Sequence, residues 1–273
     1  MISIVILTKN EERDIDSCLK AIQWSDDIHI LDSGSTDKTL ELAIRYPVKI
    51  ASHPFSSFGK QRNFALDNLP FKYEWILFLD ADEVSTDEFH AALLESVSHA
   101  KEDVAGFYCC WKMMLENTWL KRSDNFPKWQ FRLLHKGWAE FTDFGHGQKE
   151  SIIKGRIEYI KEPYLHYGFS KGWFHWIDRH NKYSSLEAEV RLRDRPPFKN
   201  IFSKHSSIRN PALKSWLSGI PGWPLLRFIF SYFIKLGFLE GMPGFIYCTN
   251  MGYYEFLIKI KMRELRKINQ SPK

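Results

Sequence analysis

The sequence predicts an α/β fold with a mostly parallel central sheet and a helical, basic-aromatic C-terminal extension. Two features of the first hundred residues predict the sheet. Apolar runs at residues 2–8, 27–32, 48–51 and 75–79 are too short for ordinary helices. The segments between them carry apolar residues at helical spacing, which is the pattern of parallel strands joined by crossover helices. A third feature sets the extension apart. Residues 199–273 hold twelve Lys or Arg against Glu240, Glu255 and Glu264, a net +9 in a chain of net +5, so residues 1–198 carry −4.

Taken in order, residues 2–8 (ISIVILT) form the first buried strand, and residues 13–24 follow as a helix with Ile15, Leu19 and Ile22 on one face. The second strand, 27–32, runs into SGSTDKT, where Gly34 permits a tight turn and Ser35 or Thr36 can cap a helix over 37–46. A short strand at 48–51 and a helix at 58–69 (FGKQRNFALDNL) lead to YEWILFLDADE, in which the apolar run 75–79 ends on Asp80, Asp82 and Glu83. A helix begins near Thr86. Beyond residue 105, GFYCCWKMML and WQFRLLH read as aromatic-rich strands separated by a turn-prone stretch at 121–127. Residues 144–150 read as loop, 156–167 as extended chain, and 170–193 as a long helix ending before Pro196-Pro197. In the extension, Pro211, Pro221, Pro224 and Pro243 are read as breaks between helices such as 225–239 and 253–267. The expected domains are 1–198, made of a nucleotide-binding half 1–104 and an acceptor half 105–198, followed by 199–273.

A chain of 273 residues can bury a sizeable core. Its four cysteines, Cys18, Cys109, Cys110 and Cys248, show no CxxC spacing, which argues against a zinc site and for reduced thiols. Six apolar residues followed at once by Lys9-Asn10-Glu11-Glu12 read as a strand rather than a secretory signal. A basic tail on a mildly acidic body suits phosphates or anionic lipid better than nucleic acid along the whole surface. The longest uncharged run of the tail, residues 241–254, is too short to span a bilayer. Its helices either lie in a membrane interface or pack on the body or a second copy.

The carboxyl ends of strands are where open α/β sheets bind ligands, so Asp80 and Asp82 draw attention. Two residues apart on extended chain, both can reach one divalent cation bound to a diphosphate if Ala81 makes a bend. The alternative is a charged strand-to-helix turn that caps the following helix. Trp173, Trp176 and His180, at helical spacing on the long helix, read first as core packing.

Four stretches in order, ISIVILTKNEE, LDSGSTDKT, FGKQRNFAL and FLDADE, resemble the inverting, GT-A fold glycosyltransferases of family 2, and within them the branch of bacterial lipopolysaccharide-core glucosyltransferases. The likeness covers about residues 1–185. It implies that Thr8, Asn10 and Glu11 lie near the base or ribose and that Asp32 lies against the uridine, where a carboxylate accepts from uracil and ribose donors. It implies Lys60 and Arg62 on the diphosphate, and Asp80 and Asp82 on Mn²⁺ or Mg²⁺, with Asp82 the direct ligand. It implies Glu150 of GHGQKE as the base that takes the acceptor's proton, with Glu140 and Asp143 in reserve. His146 reads either as a metal or phosphate contact or as a packed histidine.

The activity implied is transfer of a hexose from a nucleotide sugar, UDP-linked by preference, to a lipid-linked or lipopolysaccharide-core acceptor. The implied place is peripheral, on an anionic membrane surface at the cytoplasmic side. Two other readings remain open: a sugar nucleotidyltransferase, which Lys9-Asn10-Glu11-Glu12 disfavours for want of a Gly-rich loop, and an inactive membrane-bound adaptor.

Overall fold

The computed structural model describes residues 1–144 and 147–270, and the chain divides into two units. The first comprises 1–119 and 126–171, the second 120–125 and 172–273, so the expected boundary after residue 198 falls inside the second unit.

The first unit is built on one mixed sheet. Strands β1 (Ser3–Thr8), β2 (Ile28–Asp32), β3 (Val48–Ser52) and β4 (Trp75–Asp80) are parallel in the spatial order β3-β2-β1-β4. Helices α1 (Ile15–Ala21), α2 (Thr39–Ala43) and α3 (Phe58–Asn68) connect them. The chain steps outward from β1 to β3 and returns past β1 to β4, so β1 and β4 flank the switch point where such sheets open a crevice. Register places Leu7 beside Asp80 and Thr8 beside Asp32, so the ends of β1, β2 and β4 finish together.

A two-residue strand, β5 (Glu83–Val84), and helix α4 (Asp87–Ser98) follow. Thr86 caps α4 by accepting the Phe89 N–H at 3.1 Å. The sheet continues with β6 (Val104–Leu115), which pairs with the short β7 (Thr118–Trp119), and then with β8 (Trp129–His135). Next come an antiparallel pair, β9 (Ala139–Phe144) and β10 (Gly147–Ile153), and β11 (Arg156–His166). Strand β8 runs antiparallel between β4 and β6, while β11 is parallel to β6 and antiparallel to β5. The stretch 147–150, expected as loop, is therefore strand, because Lys149 and Glu150 find ladder partners in Thr142 and Phe141. His146 lies outside the described residues.

Alternation along the strands splits the core into two faces. Ile4, Ile6, Leu77 and Leu79 pack with Leu19 of α1 and Phe89 and Leu93 of α4. Val5, Ile76 and Phe78 pack with Ala65 and Leu66 of α3, with Phe131, and with Phe141 of β9. A fully buried residue such as Phe78 contributes about 2–3 kcal/mol by burial alone.

The second unit is helical. Helix α5 (Gly172–Arg193) packs on α8 (Gly241–Gln270) around Ala188, Tyr254 and Ile258, and the Arg191 guanidinium grips Glu255 at 2.7 and 3.1 Å. On α5, Trp176 is buried and stacks on His180 at 3.6 Å. Asp124 and Ser123, from the short inserted segment, bond to Tyr247 and Glu240. Between α5 and α8 lie a 3₁₀ turn (Phe198–Phe202), α6 (Ser206–Leu217), α7 (Trp223–Ile229), a π turn (Phe230–Ile234) and a 3₁₀ turn (Gly237–Glu240).

Pro221 lies between α6 and α7 and Pro224 opens α7, as expected of breaks, but Pro211 and Pro243 act differently. Pro211 sits inside α6, where it removes one backbone bond without ending the helix. Pro243 falls in the first turn of α8, where a missing N–H has no partner to lose, so that helix starts at Gly241 instead of 253. The segment 225–239 breaks up because the π turn leads into Leu236, held at φ 61°. Among the described residues, no helix is long and apolar enough to cross a membrane.

Candidate active site

The loops after β1 and β2 are laced together. Asn10, at φ 56°, donates its N–H to Ser35 Oγ at 2.9 Å, and its Oδ1 accepts the Thr36 N–H at 2.8 Å. The Glu11 N–H reaches Thr39 Oγ1 at 2.7 Å. Asp32 underlies both loops. Only 2% exposed, its carboxylate accepts the Gly34 and Ser35 N–H groups, each at 2.9 Å, together with the hydroxyls of Ser35 (2.5 Å) and Thr8 (3.1 Å). Four bonds make Asp32 the anchor of the SGS turn. Thr8 supports it from the next strand, and Asn10 is the exposed member of the group.

Helix α3 differs from expectation in the same way. Ser57 caps it, accepting the Lys60 N–H at 3.3 Å, and Lys60 stands exposed. Gly59 donates its N–H to Asp143 Oδ1 at 3.0 Å, and a Cβ at that position would lie 2.9 Å from the same oxygen. Asp143 thus occupies part of the anion-favouring helix start. Arg62, expected on the diphosphate, is 1% exposed and lies beneath the surface over the rings of Phe78 and Phe141.

Arg62 meets Asp80 instead. Asp80 Oδ1 pairs with Arg62 at 3.3 Å, and Oδ2 pairs with Arg132 of β8 at 2.8 Å. Arg132, also 1% exposed, bonds Glu83 at 2.5 Å, and Glu83 accepts the Asp80 N–H at 2.9 Å. Burial disfavours charge on all four groups. For Asp80 the two guanidiniums outweigh burial and hold the carboxyl well below the usual range. For Glu83 burial, aided by Asp80, prevails over Arg132 and lifts its pKa to about 7. Burial and the nearby Arg132 bring Arg62 down to about 10. Asp80 is therefore the keystone of a largely buried ionic network, with both carboxylate oxygens on guanidiniums.

Asp82 faces elsewhere. Its Oδ2 lies 3.4 Å from His166 Nε2 at the end of β11, and its carbonyl accepts the Tyr167 N–H at 2.8 Å. Burial opposes a charged imidazole, but Asp82, with Glu83 and Asp80 behind it, lifts the His166 pKa to about 9. Glu11 comes in beside them, paired with Lys171 at 2.6 Å, and burial pushes its carboxyl up to about 7 against that lysine. Asp14 accepts Ser170 Oγ at 2.7 Å.

Sequence reasoning missed Arg132 and Lys171, which only the packing brings here, and it assigned no chemistry to Glu83, at the end of the FLDADE stretch, or to His166, which ends an extended run. For a divalent cation, the donors that would fit are Asp82 and, once a cation displaces its proton, His166, one carboxylate oxygen and one imidazole nitrogen within reach of each other. Among the described residues there is no group of three or more His, Cys, Asp or Glu that could hold a metal.

Glu150 belongs to the β9–β10 pair, outside the main sheet. Its carboxylate accepts the Tyr108 hydroxyl, and it lines an open pocket of about 250 Å³ with Phe131, Phe141, Trp129 and Gln130. Phe131 and Phe141 belong to the Phe78 side of the sheet, whereas Tyr164, two residues before His166, belongs to the Leu79 side. Glu140 is exposed on β9.

The chain is similar to several known proteins. A lipopolysaccharide core biosynthesis glycosyltransferase, LpsC, from Rhizobium meliloti is 24% identical over 280 residues, which span 99% of this chain and 95% of that protein. An uncharacterized glycosyltransferase from Rickettsia bellii is 25% identical over 279 residues, 97% of this chain and 86% of its own length. Among solved structures, S. aureus TarS 1–349 in complex with UDP-GlcNAc superposes with a TM-score of 0.49 at 14% identity, covering 97% of this chain and 91% of that one. The family model described as glycosyl transferase family 2 matches residues 3–149, more than half of the chain, including every strand end described above from β1 to β4. With its α/β, GT-A-like sheet and the long C-terminal helix, the chain belongs to glycosyl transferase family 2.

Proposed function

We propose that this family 2 glycosyltransferase is an inverting, metal-dependent enzyme that moves a hexose from a UDP-sugar to a lipopolysaccharide-core or lipid-linked acceptor. The observation that carries the reading is the convergence of the ends of β1, β2 and β4 at the switch point, with the Asp82–His166 pair beside them. Asn10, Glu11 and Lys60 supply polar and cationic groups around that crevice for the nucleoside diphosphate. Asp82 with His166 would hold Mn²⁺ or Mg²⁺. Such an ion neutralises charge on the departing diphosphate. Glu150 is the base: of the three acids considered, Glu140 is exposed and Asp143 is bonded to Gly59, whereas Glu150 is oriented by Tyr108 inside a pocket. The acceptor class is supported by the printed name of the Rhizobium meliloti relative.

Titration calorimetry with UDP, with and without Mn²⁺, tests this. Metal-dependent binding is expected, lost in Asp82→Ala, and Glu150→Gln should lower turnover far more than donor binding. Equal UDP affinity with and without metal in the unaltered chain would remove the metal role.

The second unit supports a peripheral membrane site on the cytoplasmic side. Leu225, Phe230, Phe233, Ile234, Leu239 and Met242 are all exposed within one short span, and Lys235 stands exposed among them. An apolar patch with basic neighbours matches an anionic bilayer interface, where rings enter the headgroup boundary and lysine meets lipid phosphate. Replacing Phe230 and Phe233 with Asp should abolish flotation with vesicles containing anionic lipid. Unchanged flotation, or a dimer that the same change dissolves, would favour packing against a second copy.

A further inference from the structure

We propose that the open pocket between β6, β8 and β10 is a sugar subsite that takes one pyranose ring of the acceptor. The word acceptor rests on the transferase reading above; the sugar does not. Three observations converge on it. The first is size: about 250 Å³ falls below the range typical of pockets for drug-sized ligands and leaves room for one ring.

The second is the set of aromatics on the wall, Trp129 and Tyr108, and beside it, Tyr159. Trp129 is 37% exposed and Tyr159 54% exposed, with ring centroids 4.9 Å apart at 82°, and Tyr159 lies 5.2 Å from Tyr108 at 31°. Three neighbouring aromatics, two of them open to solvent, offer flat apolar faces. A pyranose has a matching face of C–H groups, and polar side chains around the rim suit its hydroxyls.

The third is the rim itself, which consists of Gln130, Gln148, Lys149 and Glu150. Glu150 is held by the Tyr108 hydroxyl through Oε1, and among the described residues its Oε2 has no hydrogen-bond partner. A carboxylate fixed in this way, with two amides nearby, can accept from and donate to adjacent ring hydroxyls. Place adds to chemistry. Because β8 runs antiparallel to β4, its first residues, Trp129 and Gln130, lie toward the end of the sheet where β4 delivers Asp80. A ring seated there brings a hydroxyl toward Glu150, the proposed base.

The experiment uses the full chain labelled with 5-fluorotryptophan. The chain holds ten tryptophans, so Trp129→Phe identifies the Trp129 fluorine resonance. The probes are methyl β-D-glucopyranoside and methyl α-D-mannopyranoside, with glycerol as control. A saturable shift of the Trp129 signal by at least one glycoside is expected, with a Kd in the millimolar range, and Gln148→Ala should weaken it several-fold. In the transfer assay, Trp129→Ala should raise the acceptor KM about tenfold, a far larger factor than any change in the donor KM. The proposal is overturned if neither glycoside moves the Trp129 signal at about 50 mM, or if glycerol moves it equally. It is also overturned if Trp129→Ala leaves the acceptor KM where it was. Failure of the unaltered chain to bind UDP would end the transferase reading alone, and the fluorine titration would still decide whether the pocket holds a sugar.

Discussion

Asp80 and Asp82, one residue apart from touching in the sequence, should fail in opposite ways when neutralised. Asp80→Asn removes the negative charge between Arg62 and Arg132, which are each 1% exposed. Unit charges about 4 Å apart interact by about 4 kcal/mol at an effective dielectric near 20. Two such attractions stand against the cost of burying Asp80, and the aspartate is itself partly exposed, which screens them. Loss of one partner from a buried pair costs about 3–5 kcal/mol, so with that screening Asp80→Asn should cost about 2–4 kcal/mol. Asp82→Asn loses one oxygen's 3.4 Å contact with His166 and should cost less than Asp80→Asn.

Urea unfolding followed by a probe confined to the first unit measures both, since a single transition for two units is not assured. At urea concentrations where both variants are folded, metal-dependent UDP binding should persist in Asp80→Asn and vanish in Asp82→Asn. Equal stability of Asp80→Asn and the unaltered protein would refute the keystone role. So would a larger loss in Asp82→Asn than in Asp80→Asn.

Other consequences follow from the same packing. Glu11 is pushed up to about 7 by burial, above its unfolded value near 4.3, so folding takes up a proton between those values and its contribution to stability falls as pH rises from about 4.5 to 7. Glu11→Gln should flatten that part of the stability profile by up to about 3 kcal/mol, and an unchanged slope in denaturation series across those pH values would contradict it. Asp27 behaves oppositely. Its burial is outweighed by Lys49, the Lys72 N–H and Ser3, which lower its pKa, so it stabilises above about pH 4 and that stability is lost in acid. Asp27→Asn should remove this acid-side slope, read from thermal melts between about pH 2 and 5. Gly106→Ala would place a Cβ 2.5 Å from both Leu133 O and the Phe131 ring; since the carbonyl cannot yield, about 1–3 kcal/mol should be lost in equilibrium unfolding. A variant as stable as the parent would show that β6 and β8 can part there.

What the sequence by itself determined is the order of the first half. Four strand-forming runs and three amphipathic spacers leave few ways to bury both faces of a strand, so β1 to β4 were legible, as was the arrival of Asp80 and Asp82 at the carboxyl end of β4. Asn10, Glu11 and Lys60 were marked by the family resemblance alone. The tertiary structure alone decided how each charge is used. Asp32 and Arg62 look like ligands in a string of letters, but the first is enclosed by four hydrogen-bond donors and the second lies under Asp80. Whether a carboxylate faces solvent or a guanidinium depends on partners far away in the chain: Arg132 is 52 residues from Asp80, and His166 meets Asp82 only because β11 pairs with β5. Local pattern governs which residues are strand or helix, since that depends on neighbours along the chain. The destination of a side chain depends on neighbours across the sheet, and only the folded register supplies those.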